Sequence, residues 1–253
     1  MLGNLWHDSR LMSLLAGLLS LIALCLAAFA IVHWAIHRPV FDLKTIEITG
    51  QTERVNLIGF ENQVVPKVGG SFFSVDLLQV RRLVESQPWI RKAVIQRAWP
   101  NGLKVSVEAH KPLALWGESQ MVNTYGEVFS ANLAEATELE ELARLEGPLG
   151  SELLVSKMFT DASASLNDIG LHPVRVTLSD RYGWMFQTEQ GIRIELGREQ
   201  EDLGIEDKLA RLKRIYPSLS RNLMSTMEVI DMRYPRGLAV KGKRLPENEQ
   251  VAG

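Results

Sequence analysis

Cysteine occurs once in the 253 residues, at Cys25. It lies inside an apolar run, so the rest of the chain has no disulfide, no thiolate nucleophile and no cysteine-based metal site. A chain of this size can close a core without such staples. Histidine is scarce as well. Of the five, His7, His33 and His37 flank or enter the same run, leaving His110 and His172, far apart in sequence. Neither has carboxylates at the spacing a metal site uses. There is no G-x-S-x-G elbow, no P-loop and no G-x-G-x-x-G after a strand. An excess of one charge is missing too: the formal net charge is -2 and the pI about 6.2, so no global field draws the chain to nucleic acid or anionic lipid. The carboxylates are scattered over polar faces and read as solvated. The expectation is a chain with no catalytic residue, no metal and no cofactor, and not an enzyme. No internal repeat or long low-complexity segment is present.

What is there begins with one long apolar run. Residues 11–36 contain no Asp, Glu, Lys or Arg, and about 20 apolar residues suffice to cross a bilayer core. His33 and Trp34 near its end suit the membrane interface. The rival reading is a cleaved signal peptide, because Ala28-Phe29-Ala30 has the small-x-small form of a cleavage site. The run is longer than a signal core and stays apolar past that site, which favours a retained anchor. Arg10 stands before the span and Arg38 and Lys44 after it, so counting positive charges leaves the orientation open.

Beyond the span, "FDLKTIEITG" reads as a strand ending at Gly50, and "TERVNLIGFENQVVP" as a short helix closed by Pro66. "SVDLLQVRRLVESQP" is a stronger helix, with Ser74 as its expected N-cap and Leu77, Val80, Leu83 and Val84 on one face. A hairpin follows within residues 88–116, turning at Pro100-Asn101-Gly102. On its second strand Leu103, Val105, Val107 and Ala109 alternate with Lys104, Ser106, Glu108 and His110, so one face is buried and one wet. Next come "KPLALW", two short strands turning at Tyr125-Gly126, and residues 131–150 as a loop or frayed helix. A helix closed by Gly170, three strands, the amphipathic helix "EDKLARLKRIYPSL" with Leu209, Leu212 and Ile215 inward, and the last strands within "STMEVIDMRYPRGLAVKGK" complete the order. The fold class is α+β: strand-helix-helix-strand-strand first, then a mixed β domain with antiparallel strands and helices.

The hairpin gathers Arg91, Lys92, Arg97 and Lys104 near Trp89 and Trp99, a combination a nucleic-acid reader would use. The alternation instead makes the basic residues the wet face of an ordinary sheet. Trp89 and Trp99 then read as core plugs at the two ends of one strand. On that reading Trp99→Ala costs about 3–5 kcal/mol and Lys104→Ala almost nothing.

The succession "FFSVDLLQVRRLVESQPWIRKAVIQRAWPNGLKVSVEAHKPLALW" resembles a POTRA domain, and more narrowly the FtsQ/DivIB family of bacterial cell-division proteins. Pro88-Trp89-Ile90, Trp99-Pro100, Leu103-Lys104-Val105, Pro112, Trp116, Met121-Val122, "ELG", "KLARLKRIYPSL" and "VIDMRYPRG" carry the likeness over nearly the whole chain. The resemblance implies a cytoplasmic N-terminus over 1–10, a transmembrane helix over 11–36, a POTRA domain over 41–110, a distal β domain over 111–245 and a disordered tail over 246–253. It implies a single-pass inner-membrane protein, amino terminus inside, its bulk in the periplasm at the division septum. The role implied is a non-enzymatic scaffold that couples the bitopic proteins FtsB and FtsL to septal peptidoglycan synthesis. An outer-membrane assembly or secretion accessory is the alternative for a POTRA-bearing chain.

The partner site expected from this resemblance is the segment around the last strand, "LAVKGK". A terminal strand often lies at a sheet edge, where an extended partner can pair with it. Tyr234 is the expected aromatic anchor, with Gly237, Leu238 and Val240 along the strand. Arg233, Arg236 and Arg181, the last placed on the strand before Trp184, would take partner carboxylates. Pro235 departs from the family pattern: it has no N–H to donate, so it must lie in a turn or bulge and any added strand must begin beyond it.

Overall fold

The computed structural model describes residues 9–36, 38–132, 142–201, 203–219 and 226–242. Most of the expected N-terminal segment, the expected tail and positions 133–141 of the expected loop or frayed helix lie outside these. The chain divides into two compact units, Met1–Ala109 and His110–Gly253.

The first unit opens with helix α1, Ser9–Ile36. Within it Met12–Trp34, 23 residues of mean hydropathy 2.7, is long and apolar enough to cross a membrane. Such a helix, apolar on all sides, needs apolar surroundings rather than a core on one face.

The three-stranded sheet comprises β1 (Thr45–Gly50), β2 (Ile90–Ala98) and β3 (Gly102–Ala109), covered by α2 (Leu57–Gln63) and α3 (Leu77–Glu85). β3 is central, parallel to β1 and antiparallel to β2. Its alternation is the expected one: Leu103 and Val105 are fully buried, packed with Phe60, Val64, Val80 and Val84 from the helices, while Lys104 is exposed. Gly50 ends β1 at φ 102°, where a Cβ would stand 2.2 Å from the Val107 carbonyl oxygen, so only glycine fits.

Three expectations about the two sheets and their helices fail within the described residues. The N-cap of α3 is Asp76, whose carboxylate accepts from the N–H groups of Leu78 and Gln79, whereas Ser74 closes the preceding turn by accepting from Ser71. Carboxylate and dipole thus act at one position. Trp99 is not a core plug: it is 69% exposed, because it lies past the last residue of β2, in the turn, where the sheet no longer has a face to cover it. Its counterpart Trp89 is buried at 6%. The large stability cost expected for Trp99→Ala is therefore withdrawn. The basic residues of the hairpin are partly committed inside the unit. Arg91 pairs with Glu108 at 2.9 Å, and Arg97 donates to the carbonyls of Phe72 and Val75.

The second unit is a nine-stranded sheet in the order β12-β11-β10-β9-β8-β7-β4-β5-β6. Its strands are β4 (Pro112–Trp116), β5 (Gln120–Asn123), β6 (Val128–Phe129), β7 (Arg144–Glu146), β8 (Pro173–Leu178), β9 (Trp184–Thr188), β10 (Arg193–Gly197), β11 (Met227–Asp231) and β12 (Ala239–Gly242). The third failed expectation is β7, three residues inside the segment read as loop or frayed helix, which pairs in parallel with both β4 and β8 and so joins the two halves of the sheet. β10 and β11 are also parallel. Parallel neighbours need a crossover, and α4 (Glu152–Asn167) and α5 (Ile205–Ile215) supply two of them. Val155, Ala162 and Leu166 from α4 and Leu209 and Leu212 from α5 bury against Leu145, Val176, Phe186, Ile194 and Ile230 of the sheet.

Candidate functional site: an edge strand and the loop that feeds it

β12 ends the nine-stranded sheet, pairing antiparallel with β11 through Asp231↔Ala239, Ile230↔Val240 and Val229↔Lys241. Among the described residues no strand pairs with its other side. Leu238 and Val240 are half-buried against the core, whereas Ala239, Lys241 and Gly242 are exposed. A strand so placed offers alternate N–H and C=O groups along its open side.

The loop from β11 into β12 carries Arg233, Tyr234, Arg236 and Gly237, with Pro235 and Arg236 in a turn, as the missing N–H requires. Tyr234 is exposed at 57% and does not belong to the core. Arg236 is exposed as well. Arg233 differs from the expectation. Its guanidinium holds Asp231, with Nε 2.9 Å and 3.1 Å from the two carboxylate oxygens and Nη2 2.6 Å from Oδ2, and Glu195 lies 3.3 Å away. It is already satisfied by carboxylates of its own chain. Gly197, at φ 68°, makes the arrangement possible, because a Cβ there would stand 2.8 Å from Cγ of Arg233.

The Arg233 hydrogen bonds are the main reason the Asp231 carboxyl is held below its ordinary value; burial opposes them, and the Arg233 amide and charge add to them. The native pKa is thus below the unfolded one, so the contribution to stability is present above about pH 3.9 and is lost as pH falls through the native value. Asp231→Asn is expected to narrow the gap in Tm of the second unit between neutral pH and pH about 3. Thermal melts of both proteins across that range test this, and an unchanged gap would assign the acid sensitivity elsewhere.

Sequence reading missed the residue that holds the loop. Arg211, on α5, donates to the carbonyls of Met232, Tyr234 and Pro235, with distances of 3.3 Å to Met232 and 2.9 Å to Tyr234. One turn earlier Lys208 is fully buried, and its Nζ donates to the carbonyls of Leu196 at 2.9 Å and Arg198 at 2.7 Å. The signal was present: Lys208 stands at i+3 from Ile205, on the stripe that also holds Leu209 and Leu212.

Arg181 lies in the turn between β8 and β9, not on a strand. Trp184 pairs with Gly197 and Glu195 with Asp231, whose partner on β12 is Ala239, so this turn is at the same end of the sheet as the loop before β12. β9 and β12 are three strand spacings apart, about 14 Å. A segment lying along β12 does not reach Arg181 unless it continues across the end of the sheet. Tyr182, beside it at φ 58°, is exposed at 60%. The two remaining histidines contact amides: His110 Nδ1 is 3.0 Å from Asn123 Nδ2, and His172 Nδ1 is 2.9 Å from Asn167 Oδ1.

Two family models match the chain: "POTRA domain, FtsQ-type" over residues 41–110, and "Cell division protein FtsQ/DivIB, C-terminal" over residues 114–233, ending one residue before Tyr234. The chain is 38% identical over 237 residues to the cell division protein FtsQ of Burkholderia pseudomallei strain K96243, covering 94% of each. It is 35% identical to the FtsQ of Bordetella pertussis strain Tohama I over 258 residues, covering 96% of this chain and 94% of that protein. With the strand-helix-helix-strand-strand unit, the mixed distal sheet and, among the described residues, one helix able to span a membrane, these matches mean that the chain belongs to the FtsQ/DivIB family of cell-division proteins.

Proposed function

We propose that this cell-division protein is a non-enzymatic scaffold, anchored in the inner membrane by α1 with its amino terminus in the cytoplasm and both folded units in the periplasm. At the septum it couples FtsB and FtsL to the peptidoglycan-synthesising machinery, and the open side of β12 receives an extended segment of FtsB. The observation that carries this reading is the position of β12 at the end of the sheet, beside exposed Tyr234. Main-chain hydrogen bonds supply the affinity of such an added strand, and side chains supply its specificity. Arg236 and Arg181 offer cations to an acidic partner, while Arg233, already bound to Asp231, sets the loop's shape rather than meeting the partner.

A fluorescent fusion of the full chain is expected to form rings at midcell, and depletion is expected to leave cells as filaments. Uniform envelope fluorescence with normal division would sink the scaffold reading.

A further inference from the structure

Four aromatic rings gather at one end of the three-stranded unit. Phe41 meets Phe73 at 5.0 Å and Trp99 at 5.5 Å between centroids, and Phe72 meets Phe73 at 5.2 Å and Trp99 at 5.5 Å. The cluster is not core: Trp99 is 69% exposed, Phe73 44%, and the neighbouring Val40 60%. Nor is it a chance collapse of loose side chains, because backbone and guanidinium hydrogen bonds tie its three loops together. Phe72 N–H donates to the Phe41 carbonyl at 2.7 Å, Asp42 bridges to Ser71, and Lys44 N–H donates to the Asn101 carbonyl at 2.9 Å. Arg97 fixes the Phe72 carbonyl at 2.7 Å and the Val75 carbonyl at 3.0 Å. The unit thus spends polar contacts on holding large apolar rings in water, which the hydrophobic effect disfavours unless something covers them.

The chain itself identifies the cover. α1 has 28 residues and is about 42 Å long, against a hydrocarbon core of about 30 Å, so its end reaches the headgroup layer. Trp34, with the Arg38 guanidinium 3.6 Å above its ring, has the amphipathic pairing suited to that layer. Phe41 follows Ile36 by five residues, which span at most about 17 Å. The cluster is therefore tethered within reach of the bilayer surface, and Trp and Phe rings on a segment that also carries Arg38 and Lys44 have the chemistry of that surface.

We propose that Phe41, Phe72, Phe73 and Trp99, with Val40, form a second membrane contact that inserts into the headgroup layer and holds the three-stranded unit down on the bilayer beside α1. The contact restricts the swing that a short tether alone would allow, and so restricts the height at which the unit meets its neighbours.

The test uses the full chain in vesicles of phosphatidylethanolamine and phosphatidylglycerol, with Cys25→Ser and a single nitroxide on Trp99→Cys. Phe73→Cys serves as a second site in case the first variant does not fold, and circular dichroism checks each. Val94→Cys, exposed near the middle of β2 and five residues from Trp99, is the water-facing control. Relaxation by oxygen, which partitions into lipid, is expected to exceed relaxation by a water-soluble nickel chelate several-fold at 99 and at 73, with the order reversed at 94. Preference for nickel at 99 or 73 overturns the proposal. Labels that become shielded only when purified division partners are added assign the patch to a protein instead, and overturn it equally.

Discussion

Lys208→Ala is expected to destabilise the second unit by about 3–5 kcal/mol, the sum of two charge-assisted hydrogen bonds of about 1.5–3 kcal/mol each, reduced by the desolvation cost recovered. Of the two carbonyls it serves, that of Leu196 lies inside the irregular stretch of β10 between Glu195 and Gly197, where the ladder to β9 is interrupted, and that of Arg198 lies just past the strand's end. Removing the ammonium leaves the buried Leu196 carbonyl and the partly buried Arg198 carbonyl short of a donor. Lys208→Met keeps the stem and its packing and loses only the hydrogen bonds, so it is expected to fall between wild type and alanine. Urea unfolding followed by the fluorescence of Trp116 and Trp184 measures both. A loss below about 1 kcal/mol in each would mean that water replaces the ammonium at these carbonyls.

The same lysine carries a pH signature. Burial holds its pKa below the ordinary value, Arg211 adds repulsion, and Glu199 opposes both. In the unfolded chain the amine titrates near 10.4, so in the window below that value the unfolded state binds more protons and the lysine's contribution to stability rises with pH. The difference in unfolding free energy between wild type and Lys208→Met should climb across that window. A flat or falling difference would show that the two carbonyls hold the charge as well as water does.

The second large effect concerns partner capture. If β12 receives FtsB as proposed, Tyr234→Ala is expected to weaken binding of the soluble part of FtsB by at least about 2 kcal/mol, roughly thirtyfold, while Tm stays nearly unchanged. The exposure of the ring supports that separation of effects, since a side chain outside the core can be truncated without a cavity. A proline scan from Leu238 to Lys241 sharpens it. Along a strand, successive N–H groups point to opposite sides, so proline at alternate positions removes a bond to the partner, and at the others a bond to β11. Binding loss with Tm kept is expected at one alternate set, and loss of Tm at the other. Uniform behaviour along the four positions would sink the added-strand reading. Charge reversal at Arg181 should weaken binding too, but only for a partner fragment long enough to pass beyond β12 across about three strand spacings. Normal binding by a folded Tyr234→Ala variant would place the docking site elsewhere.

Much of the fold was legible because it depends on local periodicity. Leu103 to Ala109 alternate and bury on one side, the stripe of α5 faces the core, and Pro235 sits in a turn because it has no N–H to give a ladder. The site was legible only in part. Tyr234 and Arg236 are exposed, but Asp231 and Glu195 already engage Arg233, and no spacing rule pairs Glu195 with a residue in the loop that follows β11. Arg211, which holds the loop, lies 23 residues before Tyr234 and meets it only because α5 crosses over between β10 and β11.

The amino-acid sequence by itself determined the apolar span, the order of strands and helices apart from β7, which face of the hairpin is buried, and a strand preceded by a proline turn. Each follows from the chemistry of residues within one or two turns of chain, where helix and strand periods put neighbours on a known side. Tertiary structure alone decided that β7 enters the sheet, that Trp99 stays in contact with solvent, and that Lys208 is buried between two carbonyls. β7 has only three residues, too few for an alternation to register. Trp99 lies just past a strand end, where burial depends on what distant loops bring beside it. The Lys208 ammonium is accommodated only because an irregularity in β10, ten to twelve residues away, brings carbonyls within reach of the helix.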